Sequence, residues 1–266
     1  MHASTTVPAL LALRGRPRPY PARIEPAANA VVVDGRRYAA ADLDWDPPDV
    51  RCVYGSALNF TSQRRALDAV FHQPPHNAPP AAPVLYIKPR NTWLGHRAAV
   101  TVPAGSEEIE VGATLGIVFG RDARRLRRES AFDAVAGYTI VNDLSIPHTS
   151  LFRPPLRFNA RDGFCPLGPW VVPRRSVAAV DHLQLRALVN GEVRQSLSTA
   201  DLHRDVAQLI VDVSEFMTLR AGDLLTIGVA ADPPRARAGD RIAVEIDGLG
   251  RLENTLVAEA TSGPPS

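Results

Sequence analysis

Apolar positions along this chain come mostly in short runs and alternations, and only one stretch repeats with the period of a helix. β-Branched runs at Val31–Val33, Val84–Ile87, Tyr138–Val141 and Leu224–Gly228 predict strands, as do Cys52–Ala57, Ala99–Val102, Arg241–Glu245 and Leu252–Val257. A longer strand is predicted over Ile109–Phe119, and the chain re-enters an apolar strand at Pro166–Trp170. Two hairpins announce themselves by their turn residues: Asp34-Gly35 between Val31–Val33 and Arg36–Ala39, and Asn190-Gly191 between Leu183–Val189 and Glu192–Leu197. Between His203 and Leu219 the residues Val206, Leu209, Ile210, Val213, Phe216 and Met217 follow helical spacing, with Gly222 just beyond the end. A second helix is predicted over Asn59–Phe71, and a short one over Ser130–Val135. The Pro/His/Asn-rich loop Gln73–Pro83 is long for a connection in a compact domain and suits a lid, a partner contact or a disordered segment. Many strands, few helices and no βαβ alternation predict an α+β fold, a β-rich mixed-sheet roll. Residues 1–48 read as a small N-terminal β appendage with a disordered tip, 49–260 as the main domain and 261–266 as a tail.

Composition narrows the class. At 266 residues, 45% hydrophobic and 22% charged, the chain has the make-up of an ordinary soluble globular protein. A net charge of +2 gives no case for nucleic acid or a membrane surface, and the basic cluster Arg121–Arg128 reads as a solvated turn. No run approaches the roughly 20 apolar residues of a membrane helix. The apolar patch Val7–Leu13 lacks the basic region that precedes a signal-peptide core. Cys52 and Cys165 are far apart and suggest no disulfide framework, so a cytoplasmic location is expected.

Candidate chemistry gathers in two places. Lys88 is the only lysine in the chain and stands at the end of a predicted strand, in Tyr86-Ile87-Lys88-Pro89-Arg90. It is either a chance remnant of an arginine-biased composition or a position where a compact ammonium on a flexible stem is required. The second place is Ala136–Pro173, where Asp143 ends an apolar run and Arg153, Arg157, Arg161 and Asp162 follow before Gly163-Phe164. A strand-end carboxylate with arginines beyond it suits an acidic small molecule, and a solvated surface loop is the alternative. His148, five residues after Asp143, is the best placed histidine for moving a proton; none of the histidines has metal-ligand spacing.

The order of Tyr54–Phe60 (YGSALNF), Tyr86–Asn91 (YIKPRN), Ala136–Ser145 (AGYTIVNDLS), Gly163–Trp170 (GFCPLGPW) and Val213–Gly228 resembles the fumarylacetoacetate hydrolase family, over about Val53–Val257. Within it, ALNFTSQRRALDA, GATLGIVFG and NDLSIPHTSLFRPP are most similar to the N-terminal half of decarboxylase/isomerase members acting in 4-hydroxyphenylacetate (homoprotocatechuate) catabolism. The resemblance implies the C-terminal-domain fold of that family and an acidic 2-oxo acid substrate, 5-oxopent-3-ene-1,2,5-tricarboxylate, decarboxylated and then isomerised as 2-hydroxyhepta-2,4-diene-1,7-dioate. It also implies a homodimer or a heteromer with a homologous subunit. Loss of CO₂ leaves an enolate, so such chemistry needs a positive group where charge builds and an acid/base for the proton.

The departures from the family pattern weigh as much as the matches. The family's Glu-x-Glu metal ligands fall on Gly112 and Thr114, leaving Asp143; Glu108 and Glu110 lie too early in the strand. The His-Glu pair of the lid falls on Gln63 and Ala66, and a family lysine falls on Asn159. No metal is therefore expected in this chain alone, with Mg²⁺ or Mn²⁺ possible through a partner subunit. Lys88, Asp143, Arg161 and Asp162 are the expected catalytic residues, and Asn59, Arg153, Arg157 and His148 the expected substrate contacts. Two other readings stay open: an accessory subunit that has lost its catalytic carboxylates, and an acylpyruvate-type C–C hydrolase, for which Gln63 and Ala66 are poor replacements.

Overall fold

The computed structural model describes residues 6–16, 19–74, 76–149 and 155–260. Its strands in chain order are β1 (Val7–Leu11), β2 (Tyr20–Glu25), β3 (Ala30–Val33), β4 (Arg36–Ala39), β5 (Val53–Ala57) and β6 (Val84–Lys88). There follow β7 (Trp93–Leu94), β8 (Ala99–Val102), β9 (Ile109–Glu110), β10 (Ala113–Phe119), β11 (Val135–Asn142) and β12 (Cys165–Pro173). The last six are β13 (Gln184–Val189), β14 (Glu192–Ser198), β15 (Leu224–Thr226), β16 (Arg235–Ala236), β17 (Arg241–Ile246) and β18 (Gly250–Ala258). The α-helices are α1 (Thr61–Ala66), α2 (Asp68–Phe71), α3 (Leu156–Asn159) and α4 (Val206–Phe216).

Local turn chemistry builds both expected hairpins. Asp34 and Gly35 have φ of 51° and 76°, and Asn190 and Gly191 have φ of 54° and 85°, the left-handed pairs that two-residue hairpin turns demand. The strands assemble into one sheet in the order β4-β3-β2-β1-β12-β11-β10-β15-β5-β6, with β7 joined to β12. A second sheet runs β14-β13-β17-β18-β8, and β9 pairs with β16. The α+β, β-rich mixed-sheet class read from the sequence is the one observed. The first four strands continue the main sheet through the pairing of Leu11 with Trp170, and Leu11, Ile24, Val31 and Trp45 share its core.

Alternation along β10 decides which face carries the site. Ala113, Leu115, Ile117 and Phe119 enter the large core together with Leu209, Ile210 and Val213 of α4. Each of the larger side chains among these contributes about 1.5–3 kcal/mol by leaving water. Val118 goes to the opposite face, where it meets Val53, Val141, Cys165, Leu167 and Leu224. Gly112, Thr114 and Gly116 have the same parity as Val118, so they look onto that second face.

Three elements differ from the sequence expectation. The helix over Asn59–Phe71 is two short ones, because Leu67 (φ −105°, ψ 3°) leaves the helical region and Phe71 is the one buried residue among them. The long strand over Ile109–Phe119 is interrupted at Val111-Gly112, where the Val111 amide donates to the Pro234 carbonyl and the Gly112 carbonyl accepts from Asp143. Helix α4 begins at an Asp205 cap, whose carboxylate accepts from the Gln208 amide at 2.8 Å, and ends at Met217. Gly222 does not cap it. It sits in a separate turn with φ 89°, its amide bonded to the Phe119 carbonyl.

Candidate functional site

Strand β6 delivers two polar side chains to the second face. Tyr86 and Lys88 are two residues apart in an extended strand, so they project to the same side, opposite Gly55 and Val53 of β5. Asp143 follows the last residue of β11, and its amide is fixed on the Gly112 carbonyl at 2.8 Å. The Lys88 ammonium lies 2.6 Å from Asp143 Oδ1, with the lysine side chain 0% and the aspartate side chain 5% exposed. It also donates to the carbonyls of Leu144 (2.9 Å), Asn159 (2.7 Å) and Phe164 (3.0 Å). An ammonium has three protons, so these four acceptors use its whole capacity. Lys88 and Asp143, both expected here, do come together. Through these contacts Lys88 ties β6 to the segment from Leu144 to Phe164.

Tyr86 is the residue the sequence reading missed. Its hydroxyl donates to Asp143 Oδ2, so both carboxylate oxygens are engaged by protein. Burial, and then the adjacent Asp143 charge, hold the phenol well above its usual range. Glycine makes the arrangement possible. A Cβ on Gly55 would lie 2.1 Å from the Tyr86 ring, and one on Gly112 would lie 2.2 Å from the Asp143 carbonyl oxygen. The signal was present in the sequence, since a tyrosine two places before the lysine must share its face.

The other expected residues are dispersed. Asn59 is buried and acts as a bracket: Nδ2 donates to the carbonyls of Arg204 (3.2 Å) and Ile227 (3.0 Å), and Oδ1 accepts from the Arg204 amide at 3.1 Å. Gln63 accepts the Leu58 amide at 2.7 Å, supporting Leu58 in a left-handed conformation with φ 60°. His148 is exposed and stacks on Phe158 at 4.7 Å between centroids, with the Arg157 guanidinium 5.7 Å from the same ring. Arg161 Nε donates to the Arg157 carbonyl at 3.0 Å. Asp162 is exposed and accepts from Asn91 Nδ2 at 2.7 Å rather than joining Asp143. Arg153 lies outside the described residues.

Three buried side-chain oxygens near the ends of these elements, on Thr114, Asn142 and Asn159, have no hydrogen-bond partner. Two of them stand where the family pattern places a carboxylate and a lysine. Glu108 is turned to Arg237 (2.8 Å), which holds its carboxyl below the usual range; Glu110, partly buried, is pushed up. Burial also pushes the Cys165 thiol far up, which makes it a poor nucleophile. Among the described residues no group of three or more His, Cys, Asp or Glu side chains converges.

A strand-end Lys–Asp pair on a β-rich roll agrees with what residues 52–257 match: the family described as Fumarylacetoacetate (FAA) hydrolase C-terminal. The chain belongs to the fumarylacetoacetate hydrolase family. It is 41% identical over 207 residues to the 4-hydroxyphenylacetate degradation bifunctional isomerase/decarboxylase of Salmonella dublin, covering 78% of this chain and 47% of that protein. The chain thus spans about half the length of that relative. Its fold superposes on 2-hydroxyhepta-2,4-diene-1,7-dioate isomerase from Mycobacterium marinum with a TM-score of 0.77 and 25% identity, over 97% of this chain and 100% of that one. Maleylpyruvate hydrolase from Sphingobium sp. SYK-6, solved with manganese(II) and pyruvate, gives a TM-score of 0.68 at 26% identity, over 85% and 78% of the two chains.

Proposed function

We propose that this chain is a subunit of a decarboxylase/isomerase of 4-hydroxyphenylacetate catabolism, and that within it the chain is the half that carries no divalent metal. The reading rests on the likeness to one half of a bifunctional isomerase/decarboxylase and on the chemistry of the donor set. One observation carries it: Asp143 has one oxygen on Lys88 and the other on Tyr86, and the backbone closes over Gly112 where the family places a carboxylate. A divalent cation binds tightly through several anionic oxygens, and this site offers a single carboxylate already neutralised. The residues do not fit Mg²⁺ or Mn²⁺. The acidic 2-oxo acid and the metal would be held by a homologous subunit that retains its carboxylates, with this chain as its partner in the assembly.

The test is an assay of CO₂ release from 5-oxopent-3-ene-1,2,5-tricarboxylate by the purified chain, by a homologue retaining Glu-x-Glu, and by the mixture, each with and without Mg²⁺. The chain alone should show no turnover under either condition, and mixing should raise the homologue's rate. Metal-dependent turnover by this chain alone overturns the reading, as does a homologue that runs at full rate without it.

A further inference from the structure

Asp162, one of the expected catalytic residues, opens onto a cleft of about 390 Å³ lined by Asn91, Trp93, Leu94, Ala99 and Thr101 among others. One oxygen of its carboxylate is anchored. Oδ1 accepts from Asn91 Nδ2 at 2.7 Å, and the same amide nitrogen donates to the Ala160 carbonyl at 3.1 Å. Among the described residues no ion pair engages it, although arginines elsewhere on the surface pair repeatedly with carboxylates. Trp93 is half-buried against the Val53–Leu167 cluster, and its Nε1 donates to the Lys88 carbonyl at 2.9 Å, so the indole is fixed as well. The third wall is β8, the terminal strand of the second sheet, whose sequence Ala99-Val100-Thr101-Val102 carries no charge to repel a ligand.

An anchored carboxylate, an indole and a short apolar wall in one concavity are the complement of a cation on an alkyl stem. The charge gains a charge-assisted hydrogen bond from Asp162 and attraction to the indole, while the methylenes cover Leu94 and Ala99. A free anion would meet the Asp162 charge. We propose that this cleft binds an alkylguanidinium or alkylammonium group, presented either by a free amine or by an arginine side chain of a second copy of this chain. The site is separate from the Lys88–Asp143 pair and does not depend on the decarboxylase/isomerase reading.

Agmatine is a suitable probe, and the protein supplies its own reporter. Of the three tryptophans, Trp45 and Trp170 are 1% and 2% exposed, so a ligand-dependent change in emission comes from Trp93. Titration should give a saturable change with a midpoint on the order of 1 mM. N-butylurea, neutral and of similar shape, should give none. Asp162→Asn keeps an oxygen for Asn91 at an exposed position, so it should stay folded and bind agmatine at least about tenfold more weakly. Trp93→Phe should lose the emission change while keeping a reduced thermal shift with agmatine. An agmatine response no greater than that of N-butylurea, or one unaltered in Asp162→Asn, overturns the proposal. Sedimentation separates the two sources: a mass that falls on adding agmatine identifies a partner's arginine, and an unchanged mass with saturable binding identifies a free cation.

Discussion

Replacing Lys88 by methionine removes one charge and keeps most of the volume, and the structure sets the size of the consequence. The ammonium is fully buried with Asp143 Oδ1 at 2.6 Å, and three backbone carbonyls depend on it. In the variant Asp143 keeps only Tyr86, the carbonyls of Leu144 and Asn159 lose their lysine donor, and that of Phe164 keeps only the Leu144 amide. Removing one member of a buried pair costs about 3–5 kcal/mol, because the remaining charge is stranded in a poorly solvated place. For a chain of this length that corresponds to a fall in Tm on the order of 10 °C. Denaturant unfolding should show the loss in midpoint, and the double variant Lys88→Met/Asp143→Asn should recover part of it, since no charge is then left behind. Burial makes a second assay available. Lys88 is the only lysine, so acetylation of the native protein should modify the α-amine alone, and acetylation of the unfolded protein should add a second group. A Lys88→Met variant within about 1 kcal/mol of the parent, or ready acetylation of Lys88 in the native state, would refute the saturated-ammonium argument and return Lys88 to the role of a ligand contact.

His96 is 4% exposed, accepts the Glu253 amide on Nδ1 at 3.0 Å and packs edge-on to Trp45. Burial lowers its pKa from 6.5 to about 4. The unfolded chain therefore takes up a proton that the folded one refuses: the stability is fully present above pH 6.5 and is lost as the pH falls towards 4, by about 3 kcal/mol. His96→Asn, whose amide oxygen can still accept from Glu253, should remove that part of the pH dependence; an unchanged slope in urea midpoints between pH 7 and 4 would count against it. Gly112→Glu should fail to create a Mn²⁺ site and should destabilise by more than about 2 kcal/mol, because its Cβ would lie 2.2 Å from the Asp143 carbonyl oxygen. Tight Mn²⁺ binding by a stable Gly112→Glu protein, read by calorimetry, would show that the second face is more open than its backbone geometry implies.

Local sequence was sufficient wherever a few neighbouring residues hold the whole physical cause. Asp34-Gly35 and Asn190-Gly191 carry their own turn geometry, and the spacing from Val206 to Phe216 marks out the apolar face on which a helix packs. The lone lysine and the strand-end aspartate were legible for a similar reason, as residue types that stand out at particular positions. Tertiary structure alone decided what they do. Lys88 meets carbonyls 56, 71 and 76 residues away, and a backbone carbonyl has no residue identity that a sequence could advertise. The break at Gly112 depends on the Asp143 carbonyl, the bracket at Asn59 on Arg204 and Ile227, and the position of Asp162 on Asn91, 71 residues earlier. Each of these is a contact between distant segments whose approach is fixed by the packing of the whole sheet, so spacing along the chain holds no trace of it.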